Sequence, residues 1–339
     1  MSAEVSICIP TFNYGRYIEH AITSICRQTR SPYEIIVSDD WSVDNTEEVV
    51  AKHLQSVRYI RPPRRLGISG NYHFCASQAK GTHVMLLSAD DVLGPKYLEK
   101  TRPYCEDYGI VSSGGFRTDE TLVNMREYQY YFVQYLGIRE LRPPRSFLHV
   151  LEGTCYLMSG TLWNREALVG LPVLPSEADL MPEWYYGIVL SQEMPMRFVW
   201  DPLFCYRLHS RNSAAVNVSG YLRGMRRLFG FLLERGLIRP EWCDVVRQRE
   251  ERVREETLQW EAELGSGSDG AGGRVGGEGG AKGLGKPGAR TAIREAIKAT
   301  VRLAMRETAG RAMQREMLEI VESVSGTRKG REPDGKAES

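Results

Sequence analysis

Two apolar runs within the first hundred residues stop at paired aspartates, and this restricts the fold more than any other feature of the chain. Val84-Met85-Leu86-Leu87 leads into Ser88-Ala89-Asp90-Asp91, and Glu34-Ile35-Ile36-Val37-Ser38 leads into Asp39-Asp40. A short apolar run bounded by polar residues reads as a buried strand. Each pair therefore sets anionic oxygens at the rim of a sheet, where ligands of open α/β sheets bind. Such donors suit Mg²⁺ or Mn²⁺, ions commonly shared with substrate phosphates. One pair alone would equally cap a turn or the next helix. Two in succession predict a nucleotide–metal site.

The surrounding pattern alternates strand and helix. Residues 5–9 read as a strand, and residues 16–28 as a helix with Ile18, Ala21, Ile22 and Ile25 on one face. A strand at 34–38 precedes a helix starting near Asp44, where Asp44 and Glu47 have capping-box spacing. A strand at 57–60, a helix at 70–79 and a strand at 84–87 follow. This order predicts a mostly parallel sheet with helices on both faces. Residues 109–144 are rich in tyrosine and polar side chains and read as loops. Strands are expected at 153–163, 197–200 and 203–207, and helices at 183–191, 221–235 and 240–264. From 265 glycine dominates, the composition of a flexible linker. Ile293, Ile297, Val301 and Met305 then recur at four-residue spacing, an amphipathic pattern continuing to Val324 before a polar tail.

The balance of 44 basic and 43 acidic residues requires no nucleic-acid partner. Seven scattered cysteines without a Cys-x-x-Cys fit reduced thiols rather than a disulfide framework or zinc site. No signal peptide is read before Val5, and no apolar run approaches the ~20 residues that span a bilayer. A cytoplasmic chain is expected. The 221–235 segment carries Arg223, Arg226, Arg227 and Arg235 beside leucines, so it reads either as a helix at the domain edge or as one lying on anionic lipid. The second reading would place the chain peripherally at the inner membrane face.

Four segments carry a family resemblance. Ile9-Pro10-Thr11-Phe12-Asn13-Tyr14 follows the first strand; Ser38-Asp39-Asp40-Trp41-Ser42-Val43-Asp44, the Arg64-to-Asn71 loop and Leu87-Ser88-Ala89-Asp90-Asp91 follow in order. Their order and spacing resemble the family 2 inverting glycosyltransferases of GT-A fold, closely over residues 4–100 and loosely to about 215. The resemblance implies an α/β, Rossmann-like, mostly parallel sheet with C-terminal helices. It implies a domain at 1–264, with a nucleotide-binding part to about 112, an acceptor part to about 218 and a helical extension. Beyond lie a linker at 265–290, a helix at 291–324 available for oligomerisation, and a tail at 325–339.

It also implies roles. Pro10, Thr11 and Asn13 would line the nucleotide pocket, and Asn71 would belong to the donor loop. Asp39 would accept a hydrogen bond from the base, with Asp40 beside it near base and ribose. Asp90 would contact ribose or metal, and Asp91 would be the main ligand of Mg²⁺ or Mn²⁺. Tyr206-Arg207-Leu208-His209 fits the family's Y-R-x-H segment, giving Arg207 to the diphosphate and His209 to the metal. Arg64 and Arg65 are further candidates to face phosphate. The chain departs from the pattern at Ser88, where an acid is usual, and at Trp41, where a small residue is common.

An inverting transferase needs a base to take the acceptor's proton. In this family it is an aspartate of an E-D motif at a helix start. Counting back from Tyr206 places Pro182-Glu183-Trp184 there, making Glu183 the preferred base and Asp179 the alternative. A solvated charge at a helix N-terminus is the alternative reading of Glu183. The expected activity is transfer of a sugar from a nucleoside diphosphate sugar, UDP favoured, to an acceptor hydroxyl in polysaccharide, glycolipid or natural-product glycoside synthesis. Two rivals stand beside it: a degenerate sugar-nucleotide-binding scaffold, and a nucleotidyltransferase. The latter is disfavoured because no glycine-rich basic loop follows the first strand.

Overall fold

The computed structural model describes residues 3–266 apart from 123–125, 129–136, 155 and 211–217. Its centre is β1 (Val5–Thr11), buried along its whole length. Parallel partners flank it, β2 (Glu34–Asp39) on one side and β4 (His83–Leu86) on the other. Side chains alternate between the two faces of a strand. Ile7, Ile9, Val37, Met85 and Leu87 join one core cluster, whereas Cys8, Ile36, Val84 and Leu86 join the other. Burial on both faces explains why these strands read as unbroken apolar runs.

The first face is covered by α1 (Ile18–Cys26), through the Ile18, Ala21, Ile22 and Ile25 stripe, and by α2 (Thr46–Ala51). The second is covered by α3 (Gly67–Ser77) and a large helical layer from the second half of the chain. β3 (Arg58–Ile60) closes the β2 edge, and β5 (Val92–Leu93) and α4 (Tyr97–Thr101) follow β4.

The sheet is mixed rather than uniformly parallel. Beyond β4 come β9 (Thr161–Asn164), β6 (Ile110–Thr118) and β10 (Met196–Arg207), giving the order β3-β2-β1-β4-β9-β6-β10-β5. β9 runs antiparallel to both β4 and β6, while β6 and β10 are parallel. β7 (Arg126–Tyr128) pairs with β6, and β8 (Glu140–Leu141) with β10. Two expectations change here. The 109–144 region holds the long strand β6, disguised by its Ser-Ser-Gly-Gly centre, a composition poor in strand formers. The two expected strands at 197–200 and 203–207 are one bent strand, with register shifts on either side of Pro202, a residue that cannot donate to a ladder.

The helical layer comprises α5 (Arg145–Glu152), α6 (Arg165–Val169), α7 (Pro182–Leu190), α8 (Val218–Glu234) and α9 (Cys243–Ser266). The apolar face of α8, including Leu222, Leu228, Phe229 and Leu232, lies in the core. The face that lipid binding would use is therefore covered by protein. No helix among the described residues is long and apolar enough to cross a membrane. Helix α9 takes in positions 265 and 266; the rest of the expected 265–290 linker, the 291–324 helix and the tail lie outside the described residues.

Phe204 of β10 is fully buried, its ring seated where Gly115 and Gly160 approach most closely. An added Cβ would stand 2.5 Å from Phe204 Cε1 at Gly115 and 2.3 Å at Gly160. Both glycines are thus fixed by packing. Phe204→Ala should leave a cavity and cost about 3–5 kcal/mol of unfolding free energy. Gly160→Ala should destabilise by overpacking. Urea denaturation of both variants checks this pair of outcomes.

Candidate active site

Parallel strands deliver their C-terminal ends to one edge. Thr11 and Asp39 are paired in register, and the Asp40 amide donates to the Thr11 carbonyl at 2.9 Å. Thr11, Asp39 and Asp40 therefore meet at the rim, with Asp90 and Asp91 following β4 on the other side of β1.

A cleft of about 370 Å³ opens on this edge. Pro10, Thr11, Asp40, Arg65, Asn71, Asp90 and Glu183, all predicted site residues, line it. Asn13, Asp39, Asp91, Asp179, Arg207 and His209 stand behind the lining or beside it. The Arg65 guanidinium lies 3.8 Å from the Phe12 ring centroid, which fixes it over the loop after β1.

Behind Asp90 and Asp91, the end of β10 and the residues just after it supply their partners. The Arg207 amide donates to Asp91 Oδ1 at 2.9 Å, and His209 Nε2 lies 2.8 Å from Asp90 Oδ2. Tyr17 backs both side chains, with its ring stacked on His209 at 4.6 Å and under the Arg207 guanidinium at 4.9 Å. Asp91 Oδ2 is buried and has no hydrogen-bond partner among the described residues. Burial, and then the neighbouring Asp90 charge, push the Asp91 carboxyl well above the usual carboxylate range. A carboxyl oxygen left so is a fit place for a divalent cation, whose charge would favour the ionised form. Among the described residues, no group of three or more His, Cys, Asp or Glu side chains is placed to hold a metal alone.

Asp39 is held by protein groups on both carboxylate oxygens. It is fully buried; Oδ1 accepts from the Ser42 amide, and Oδ2 from Tyr59 Oη and the Arg61 guanidinium. Burial raises its proton affinity, but the hydrogen bonds from Ser42, Tyr59 and Arg61 outweigh it and hold the carboxyl below its ordinary value. A nucleobase contact at Asp39 would have to displace part of this set. Asn13 is a loop tie: at φ 59° its side chain accepts from the Val43 amide at 2.8 Å, and its own amide donates to Ser42 Oγ. Trp41 also has a positive φ, 66°, and its indole donates to the Pro62 carbonyl at the surface.

Glu183 lies in the first turn of α7, and its Oε2 accepts from the Met158 amide at 3.2 Å. A helix N-terminus favours a carboxylate. Here desolvation wins and the carboxyl is pushed up to about 7. Asp179 has both carboxylate oxygens on backbone amides, Ile68 at 2.8 Å and Ser69 at 2.6 Å.

The profile of the family described as Glycosyl transferase family 2 matches residues 6–160. Residues 6–160 carry the family 2 glycosyltransferase pattern. Over 100 residues it is 35% identical to an uncharacterized glycosyltransferase of Nostoc sp., a match covering 29% of this chain and 31% of that one. The chain spans about a third to a half of the length of the curated relatives it matches. Among solved structures, S. aureus TarS 1-349 in complex with UDP-GlcNAc superposes with TM-score 0.54 at 16% identity, over 68% of this chain and 66% of that one. The mannosyltransferase PcManGT from Pyrobaculum calidifontis, in complex with GDP-Man and Mn²⁺, gives TM-score 0.51 at 15% identity, over 97% and 89%. At these identities the likeness carries the fold, which is GT-A.

The glycosyltransferase domain also builds its cleft from residues that no motif announced. Tyr72 lines it, its hydroxyl 3.0 Å from Ser88 Oγ, and so do Leu157, Met158 and Tyr221. Tyr72 directly follows Asn71, so its adjacency to the donor loop was the available signal. Met158 fell in a segment read as strand, which is a 3₁₀ turn at Met158–Gly160.

Asn71 ties the domain's α3 to β2: its Nδ2 donates to the Ser38 carbonyl at 2.9 Å, and its Oδ1 accepts from Ser38 Oγ at 2.6 Å. It is 3% exposed. Asn71→Ala leaves those Ser38 groups buried without a partner, at a cost of about 1–3 kcal/mol. A lowered Tm in circular-dichroism melts is the expected outcome.

Proposed function

We propose that the chain transfers a sugar from a nucleoside diphosphate sugar, with UDP favoured, to an acceptor hydroxyl, with inversion at the anomeric carbon. One observation carries this reading: Asp90 and Glu183 line the same cleft, one at the sheet rim and one on α7 with a carboxyl near neutrality. The GT-A fold and the donors bound in TarS and PcManGT support the class of substrate.

In the proposed reaction the acceptor oxygen attacks the anomeric carbon as the bond to the diphosphate oxygen breaks. The acceptor's proton passes to the Glu183 carboxylate, and the nucleoside diphosphate leaves with the bonding pair. A carboxyl tuned close to the working pH is suited to general-base duty. Asp91 and Asp90 are the residues that would hold Mg²⁺ or Mn²⁺, and such an ion, when bound, stabilises negative charge on the leaving diphosphate. Arg65, at the rim and backed by Phe12, would face the phosphates. Ser88, hydrogen-bonded to Tyr72, leaves fewer carboxylates there than the family commonly has.

The base must be ionised, so kcat/KM should rise as pH increases through about 7. Glu183→Gln should abolish transfer at every pH. The stability sign is opposite. With its carboxyl at about 7 folded and an ordinary value of 4.5, Glu183 favours the folded state below 4.5 and loses that contribution as pH rises through about 7. Glu183→Gln should therefore melt higher than wild type at pH 8 while being inactive. A lower melting temperature with transfer retained would remove Glu183 from the role of base.

Thermal shifts with UDP, dTDP, GDP and CDP, with and without Mn²⁺, test the donor class. Ligand at 100 times its Kd stabilises by about 2.7 kcal/mol. One nucleotide should raise Tm only with the metal, and Asp91→Ala should remove that metal dependence. No shift with any nucleotide would sink the reading; binding without turnover across donors and acceptors would point to a scaffold.

A further inference from the structure

The N-terminus of α3 is closed by two carboxylates from distant segments of the chain. A helix start leaves its first amides without intrahelical acceptors. Here Leu66 and Gly67 donate to the Asp40 carboxylate at 2.7 and 2.9 Å, while Ile68 and Ser69 donate to Asp179 at 2.8 and 2.6 Å. The Ser69 hydroxyl adds a bond to the Asp179 carbonyl at 2.8 Å. Asp40 follows β2 on the sheet side. Asp179 belongs to the turn that enters α7, four residues before Glu183.

Gly67 makes the close approach feasible. Its φ is +80°, and a Cβ there would lie 2.8 Å from Asp179 Oδ2. Only glycine meets both demands without strain. The clamped loop also lines the cleft, through Arg65, Gly67 and Ile68, as does Glu183.

We propose that Asp179 is a positioning residue: by accepting the α3 amides it fixes the entry to α7, and with it Glu183, against the loop that faces the donor. This deepens the reading of Glu183 as base and rests on it. A carboxylate holding two amides is poorly placed to accept a proton from an acceptor. It is well placed to set register between the two segments, where a displacement of about 1 Å costs about a hundredfold in rate.

The test compares Asp179→Ala, Asp179→Asn, Gly67→Ala and Glu183→Gln in the full chain. Nucleoside diphosphate release is followed from UDP-GlcNAc and GDP-mannose with Mn²⁺, alongside hydrogen–deuterium exchange. Asp179→Ala should lower kcat about a hundredfold with little change in donor KM, and should speed exchange over residues 180–190. Asp179→Asn, whose amide oxygen still accepts one bond, should recover part of both, and Gly67→Ala should mimic the alanine variant.

Folded Asp179→Ala with wild-type kcat, or with unchanged exchange at 180–190, overturns the proposal. So does turnover retained in Glu183→Gln but lost in Asp179→Asn, which would make Asp179 the base. If wild type releases nucleotide from neither donor, the transferase reading is what fails for these donors. The exchange comparison then decides the clamp alone, and an unchanged pattern overturns it.

Discussion

Everything at the cleft depends on β1 being paired in parallel on both sides and buried on both faces. Parallel neighbours end at the same edge, so Thr11, Asp39–Asp40 and Asp90–Asp91 reach one rim without long loops. Burial of alternate side chains in two separate clusters fixes register, because a slip of one residue would exchange every side chain between the cores. The rim is as rigid as the strands that present it, which is what a site needing ångström placement requires.

That rim carries more anionic charge than a protein interior tolerates unaided. Asp90 and Asp91 are 6% and 1% exposed, and burying carboxylates is costly unless partners meet them. The partners come from the end of β10 and the residues just after it, more than a hundred residues downstream: the Arg207 amide for Asp91 and the His209 ring for Asp90. Tyr17 backs both from the start of α1, tying the first and last segments of the sheet together. The compensation is incomplete at Asp91 Oδ2, and it is this remainder that makes a cation chemically reasonable at the rim.

Much of this was readable in order along the chain. The apolar stripe of α1 and the strands of the first hundred residues follow from periodicity, and the α7 start that carries Glu183 was placed by its distance from the Tyr206–His209 motif. Asp39 was not readable. Its carboxylate looks the same in sequence as Asp40, yet Tyr59 and Arg61 from the neighbouring strand claim it, while Asp40 turns to the α3 amides. The long strand β6 was hidden because Gly114 and Gly115 lower strand propensity; Gly115 is there to accommodate the Phe204 ring, a contact between strands nearly ninety residues apart.

The sequence by itself determined which chemistry was available: carboxylates at strand ends, a basic strand end with a histidine just after it, and an acid at a helix start. Local rules suffice for this, because strand burial and helix capping are written in residues a few positions apart. Only the tertiary structure decided which carboxylates face the cleft and which are spent on backbone amides. Glu183 and Asp179 are four residues apart and chemically alike. One lies in the cleft, where desolvation brings its carboxyl near neutrality; the other caps α3, whose amides come from residues more than a hundred positions away. Desolvation and hydrogen-bond partnership are properties of the assembled space around a group, which no local pattern contains.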